Sequence, residues 1–130
     1  MKVRLSEAIR VYTRYDIEDE NGDTRRKRNE RVGETSPRFE IPNGGKYIWD
    51  WFIEIDSCIS RIRDGVCYLI PPSEYLSWAQ LTGNLVYSWE YGILMDMDKA
   101  FCSETNLELH SEREKAEHAR QSELENTRRR

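Results

Sequence analysis

The segment from Ile48 to Ile62 constrains the fold most strongly, because its apolar residues recur at the spacing of one helical face. The repeating positions are Ile48, Trp51, Phe52, Ile55, Cys58, Ile59 and Ile62. Such a stripe predicts an α-helix that packs one side against a core. The breaker Pro-Asn-Gly-Gly precedes it and Asp64-Gly65 follows it, so these two turns are the expected ends of the helix.

Two more helices are predicted after the connector VCYLIPP. Ser73 is a suitable N-cap for EYLSWAQLT, and Gly83 stands where a helix C-terminus favours glycine. Ser88 can cap a third helix, WEYGILMDMDKAF, whose core face would carry Trp89, Ile93, Met97 and Ala100. We therefore expect an all-α protein whose core is a small three-helix domain at residues 46–102.

The two flanking segments are dominated by charged residues. Residues 1–45 are predicted to be a charged arm and linker, with a short helix near EAIRVYTRY that Ser6 could cap. Residues 103–130 favour helix but lack a sustained apolar stripe, so they are predicted to be a charged helical or disordered tail. A core of this size is marginal alone, and self-association would help it.

Composition and charge exclude several classes of function. The formal net charge is −4 and the mean hydropathy is −0.84, and no apolar run is long enough for a signal peptide or a membrane span. The central segment is the most acidic part, so we do not expect nucleic acid to be its main ligand. Three cysteines without CxxC spacing favour reduced thiols in a cytosol.

No constellation of residues predicts catalysis or metal binding. The two histidines, His110 and His118, lie in the tail, far along the chain from Cys58 and Cys67. With Glu114 they fall at i, i+4 and i+8 of a helix, but the outer two would be about 12 Å apart, too far to share one ion. We expect no catalytic residue, no metal and no cofactor.

The aromatic and apolar residues exceed what one small core can bury. If the stripe that begins at Ile48 faces inward, Trp49 and Ile53 point away from it, and Tyr91 and Met95 stand off the core face of the third helix. We expect these four residues to contact a protein partner. Six others would hold the fold: Trp51, Phe52, Ile55, Trp78, Trp89 and Met97. The alternative for Trp49 is cover by the N-terminal arm or by VCYLIPP.

Three phrases in order, YIWDWFIEI, SEYLSWAQLTG and SWEYGILMDMDKAF, resemble the tail assembly chaperones of bacteriophages with long non-contractile tails. In that family an aromatic W-x-W-F helix is followed by a W-x-x-L-T-G segment. A W-E helix that ends near M-D-x-A-F comes next. The resemblance covers roughly the central 60 residues of the chain.

The resemblance implies a non-enzymatic assembly factor that acts in the host cytoplasm and is absent from the finished virion. Its partners would be the tape-measure protein, whose apolar helices it shields, and the tail-tube protein, which it helps to recruit. Two alternatives stay open. One is a small regulatory protein that binds nucleic acid through Arg25 to Arg28 and the C-terminal arginines, and the other is a structural connector protein of the virion.

Overall fold

The computed structural model describes residues 1–129, which form five helices and one two-stranded hairpin. The elements are α1 Lys2–Tyr15, α2 Arg25–Arg31, α3 Lys46–Ser57, β1 Ile62–Arg63, β2 Val66–Cys67, α4 Pro72–Thr82 and α5 Ser88–Arg128. The expectation of a mostly helical protein is confirmed. Residues 46–102, predicted to be a three-helix domain, hold α3, the hairpin, α4 and the first part of α5, and α1 and α2 precede them.

Helix α1 is part of the core, although residues 1–45 were predicted to be an arm outside it. Leu5, Ala8 and Ile9 are at most 3% exposed, and α1 packs along α5. Their spacing of i, i+3 and i+4 lines one helical face. They meet the inward faces of α3 and α5, whose most deeply buried side chains are Ile48, Phe52, Ile55, Leu94 and Met97.

Helix α3 ends at Ser57, which is earlier than the apolar stripe predicts. Asp64 and Gly65 have φ angles of 54° and 76°, and they form the turn of the hairpin in which Ile62 pairs with Cys67. Two successive left-handed residues suit a tight hairpin turn, because their twist matches that of the two strands. Asp64-Gly65 therefore reverses the chain instead of ending a helix, and Ile62 is half exposed.

Helix α4 begins at Pro72 rather than after Ser73, and proline at this first position is favourable because its missing N–H would have no helical partner. It ends as predicted, since Gly83 takes the left-handed conformation at φ 70°. Helix α5 begins at Ser88 itself, and its N-cap is Tyr87, one residue before the predicted cap. There the buried Glu90 accepts a hydrogen bond at 2.8 Å from the backbone N–H of Tyr87, which stabilises the first turn.

Helix α5 does not stop at Cys102 but continues to Arg128, a length of about 60 Å. Its first half packs in the core, whereas residues 112–129 are exposed on every side. Those residues favour helix through their composition and need no packing partner for their polar side chains. Neither α5 nor any other helix within residues 1–129 is both long and apolar enough to cross a membrane.

Candidate functional site

Trp49, the first residue predicted to contact a partner, lies in the core and is only 8% exposed. Its ring stacks on Phe39 at a centroid distance of 5.3 Å and meets the edge of Tyr12 at 5.5 Å. The N-terminal region therefore covers the side of α3 that carries Trp49, which the apolar stripe predicted to be exposed. The prediction that Trp49 is exposed is corrected, and the alternative of cover by the N-terminal arm holds.

The other three predicted residues, Ile53, Tyr91 and Met95, are each partly buried. Tyr91 packs edge-on against Tyr75 at 5.2 Å and lines a groove, whereas Ile53 and Met95 do not line it. Trp89, predicted to hold the fold, is 56% exposed. The buried face of α5 runs through positions 90, 94, 97 and 101, and the neighbouring position 89 points about 100° away from its start.

An open groove of about 590 Å³ lies between α4 and the start of α5, and we name it the α4–α5 groove. The left-handed Gly83 turns the chain so that residues 84–86 fold back to form its end. Most of its lining is apolar or aromatic: Pro72, Tyr75, Leu76, Trp78, Ala79, Leu85, Val86, Tyr91 and Leu94. Leu76 and Leu85 are 62% and 72% exposed, so much of this apolar surface faces water.

The chemistry of the α4–α5 groove suits binding rather than catalysis. The described residues that line it include no charged side chain; Gln80 and Asn84 supply amides, and Tyr75 and Tyr91 supply phenols. Burial raises the pKa of Tyr75 above its ordinary value of 10.0, so this phenol stays neutral and is a poor base. Such a lining favours apolar side chains of a ligand and repels charged ones.

A buried ion-pair cluster is the feature that sequence reasoning missed. By helical spacing Arg61 would continue the polar side of the predicted helix at 48–62, but its side chain is 4% exposed and forms ion pairs with Asp98 and with Asp56, the latter at 2.8 Å. The Arg61 guanidinium also donates to the backbone oxygen of Tyr68 at 3.2 Å. Asp98 in turn accepts a hydrogen bond at 2.8 Å from the Ile70 backbone N–H. The cluster thereby fixes the hairpin and its exit segment against α5.

The electrostatics of this cluster are those of a closed structural site. Burial raises the pKa of Asp98, and the neighbouring Arg61 guanidinium opposes that rise. One sequence signal pointed to it: Asp98 lies on the apolar face of α5, four residues after Leu94 and three before Phe101. A carboxylate on a buried face needs a cation or several donors, so Asp98 predicts a partner such as Arg61.

Four of the five basic residues of α2 form ion pairs within the chain, although the side chains of Arg28 and Arg31 remain 47% and 61% exposed. These ion pairs are Arg25 with Glu108 at 2.5 Å, Arg26 with Asp16 at 2.8 Å, Arg28 with Asp19 at 3.2 Å and Arg31 with Asp23 at 2.6 Å. Each carboxylate offsets a positive charge that a phosphate would otherwise meet. This arrangement gives the nucleic-acid alternative less support than the bare sequence did.

Comparison with known proteins gives no match: no family model, no curated protein and no solved structure matches this chain. Within residues 1–129 no three His, Cys, Asp or Glu side chains lie close enough together to hold a metal ion. His110 and Glu114 form only an exposed pair at 3.1 Å.

Proposed function

We propose that this protein is a non-enzymatic tail assembly chaperone of a bacteriophage with a long non-contractile tail. In this proposal the α4–α5 groove binds an apolar helix of the tape-measure protein in the host cytoplasm, and tail-tube subunits join the complex. The observation that carries the proposal is the open, uncharged groove with exposed leucines at its rim. Contiguous apolar surface in contact with water marks an interaction site in soluble domains.

The position of the sequence motifs supports the same class of function. Two of the three phrases that resemble tail assembly chaperones are W-x-x-L-T-G at 78–83 and W-E at 89–90. They belong to the two helices that border the α4–α5 groove. Part of the resemblance therefore falls on the two helices that border the groove, and the third phrase belongs to α3.

The groove also fits the chemistry of the proposed client. A helix with an apolar face docks by inserting side chains into a groove of this kind, and a lining without charge tolerates many apolar sequences. Burying the exposed parts of Leu76 and Leu85 contributes about 2 to 4 kcal/mol in total, which suits reversible capture. The exposed, charged residues 112–129 would keep the loaded complex in solution.

Co-expression with a tape-measure fragment tests the groove. We expect the wild-type chain to hold the fragment in the soluble fraction and to co-purify with it, and Leu76→Asp to lose both effects because a carboxylate resists burial in an apolar groove. Leu124→Asp is the matched control, since Leu124 is also 62% exposed but lies near the end of α5. Solubilisation by both variants alike, or by none of the three chains, would contradict the proposal.

The phage context is tested separately. We expect the gene to lie between a tail-tube gene and a very long tape-measure gene, and the protein to be absent from purified virions. Mass spectrometry of purified particles measures the second point directly. Stoichiometric amounts of the protein in finished particles would favour the structural connector instead.

A further inference from the structure

Two buried cysteines from distant parts of the chain lie next to each other. The Sγ atoms of Cys67, at the end of β2, and Cys102, in α5, are 3.3 Å apart, and these residues are 4% and 6% exposed. A disulfide bond needs about 2.05 Å between the sulfurs, so a small adjustment of the two side chains would suffice. The third cysteine, Cys58, is exposed.

Independent contacts hold each cysteine of this pair in place. The side-chain amide of Asn106 binds the backbone of Cys67 twice, accepting from its N–H at 2.8 Å and donating to its oxygen at 3.2 Å. Asn106 lies one helical turn after Cys102, so α5 itself fixes the strand that carries Cys67. The Arg61 guanidinium donates to the Cys102 sulfur at 3.1 Å. The two sulfurs are therefore brought together by the fold and not by chance rotamers.

We infer that Cys67 and Cys102 form a reversible disulfide site, with a peroxide as the oxidant. The Cys67 thiolate attacks one oxygen of hydrogen peroxide, which gives a sulfenic acid and hydroxide. The Cys102 sulfur then attacks the Cys67 sulfur, the S–O bond breaks, and the released hydroxide takes up a proton as water. In sum, two thiols lose two electrons and two protons, and one peroxide becomes two waters. This inference does not depend on the proposed function.

The order of these steps follows from the surroundings of the two thiols. Burial raises the pKa of the Cys102 thiol, and Cys102 lies on the buried face of the long helix α5, which opens less readily than a short hairpin. Cys67 belongs to a hairpin of two residues per strand, whose turn is exposed, and opening that hairpin admits the oxidant. We therefore assign Cys67 as the attacking cysteine and Cys102 as the resolving one.

The cross-link changes a property that can be measured without knowing a client. It closes the loop from residue 67 to residue 102, which includes α4 and most of the α4–α5 groove. Closing a loop of that length restricts the unfolded chain, so the oxidised protein should melt at a temperature higher by about 5 °C or more. Reduction with dithiothreitol should reverse the shift.

Peptide mapping of the full chain tests the assignment. The protein is treated with hydrogen peroxide, unfolded, alkylated and digested with trypsin. Trypsin leaves each cysteine in a separate peptide, 47–61, 64–99 or 100–113. We expect peptides 64–99 and 100–113 to be joined, with a mass about 2 Da below their sum. Cys58→Ser is the matched control and should form the same link, whereas Cys67→Ser and Cys102→Ser should not.

The mapping of the wild-type chain decides the matter even if a variant folds poorly. A link between 64–99 and 100–113 that dithiothreitol removes supports the inference. Two results would overturn it. One is that Cys67 and Cys102 are both still alkylated under conditions that fully oxidise the exposed Cys58, and the other is a disulfide that joins Cys58 to Cys67 or to Cys102. An unchanged melting temperature in the linked protein would overturn the stabilisation argued above.

Discussion

Replacing Asp98 by asparagine removes the negative charge that Arg61 faces in the core and changes little else. Asparagine has nearly the same size, and its carbonyl oxygen can still accept the hydrogen bond from the Ile70 N–H, which is 2.8 Å from Asp98 Oδ2, while its NH2 group then faces the Arg61 guanidinium, which is also a donor. The side chains of Arg61 and Asp98 are 4% and 3% exposed, so water cannot replace the lost charge. The substitution therefore leaves a buried cation with one ionic partner, Asp56.

The magnitude follows from the burial of this pair. Breaking a fully buried ion pair costs about 3 to 5 kcal/mol, and the remaining partner Asp56 places Asp98→Asn near the lower end, at about 3 kcal/mol. For a chain of this length that loss lowers the melting temperature by about 10 to 15 °C. Asp50→Asn is the matched control, because the Lys46–Asp50 pair has exposures of 76% and 57% and should cost less than about 0.5 kcal/mol.

Urea unfolding followed by far-ultraviolet circular dichroism measures both variants on one scale. Adding Arg61→Met to Asp98→Asn removes the stranded cation, so the double variant should lose less stability than the sum of the two single losses. The reasoning is refuted if Asp98→Asn costs no more than Asp50→Asn. It is also refuted if the double variant shows simple additivity.

Three further predictions concern the core, the groove lining and the tail. Trp49→Ala should lower the free energy of unfolding by about 3 to 5 kcal/mol and Trp89→Ala by less than about 1 kcal/mol in urea denaturation, and equal losses would contradict the core assignment. The Tyr75 hydroxyl has no hydrogen-bond partner within residues 1–129, so Tyr75→Phe should not destabilise at neutral pH. The folded chain keeps the Tyr75 proton at a pH where the unfolded chain has lost it, so wild-type stability falls as the pH rises above about 10. Tyr75→Phe should make this fall less steep, and an unchanged slope would contradict the burial of the phenol. Removing residues 112–130 should leave the melting temperature within about 2 °C, and a larger decrease would show that the tail stabilises the core.

Local signals in the sequence predicted the helices that border the groove. Gly83 marks the end of α4, because a left-handed glycine depends on a few neighbouring residues, and the beginning of α5 was predicted to within one residue, its N-cap being Tyr87 and not Ser88. The same locality explains an error in α3. Asp64-Gly65 was recognised as a turn, but whether a turn ends a helix or joins two strands depends on what the flanking residues pack against.

Contacts between distant segments could not be predicted in this way. Trp49 is covered by Tyr12 and Phe39, and the sequence around these two residues does not indicate that they pack on Trp49. Helix α1 has an apolar face, but charged residues stand between the apolar ones in the sequence. Only its packing on α5 shows that this face belongs to the core. Arg61 would lie on the polar side of α3 if that helix continued to Ile62. Because α3 ends at Ser57, Arg61 is not on that side and is buried instead.

The candidate site was predicted only in part, for a related reason. Of the four residues predicted to contact a partner, Tyr91 lines the α4–α5 groove. Leu76 and Leu85 were not singled out, because one leucine on a short helix and one in a loop create no periodic pattern. Only the packing of α4 beside α5 shows that these two leucines line one groove.

Site-directed photo-crosslinking in cells that make the tape-measure protein tests the central claim most directly. A photo-reactive amino acid is placed at position 76 in the α4–α5 groove, or at position 124, where the native leucine is equally exposed. We expect irradiation to join the tape-measure protein to position 76 and not to position 124. Cross-links to the tape-measure protein from position 124 alone, or equally from both positions, would contradict it.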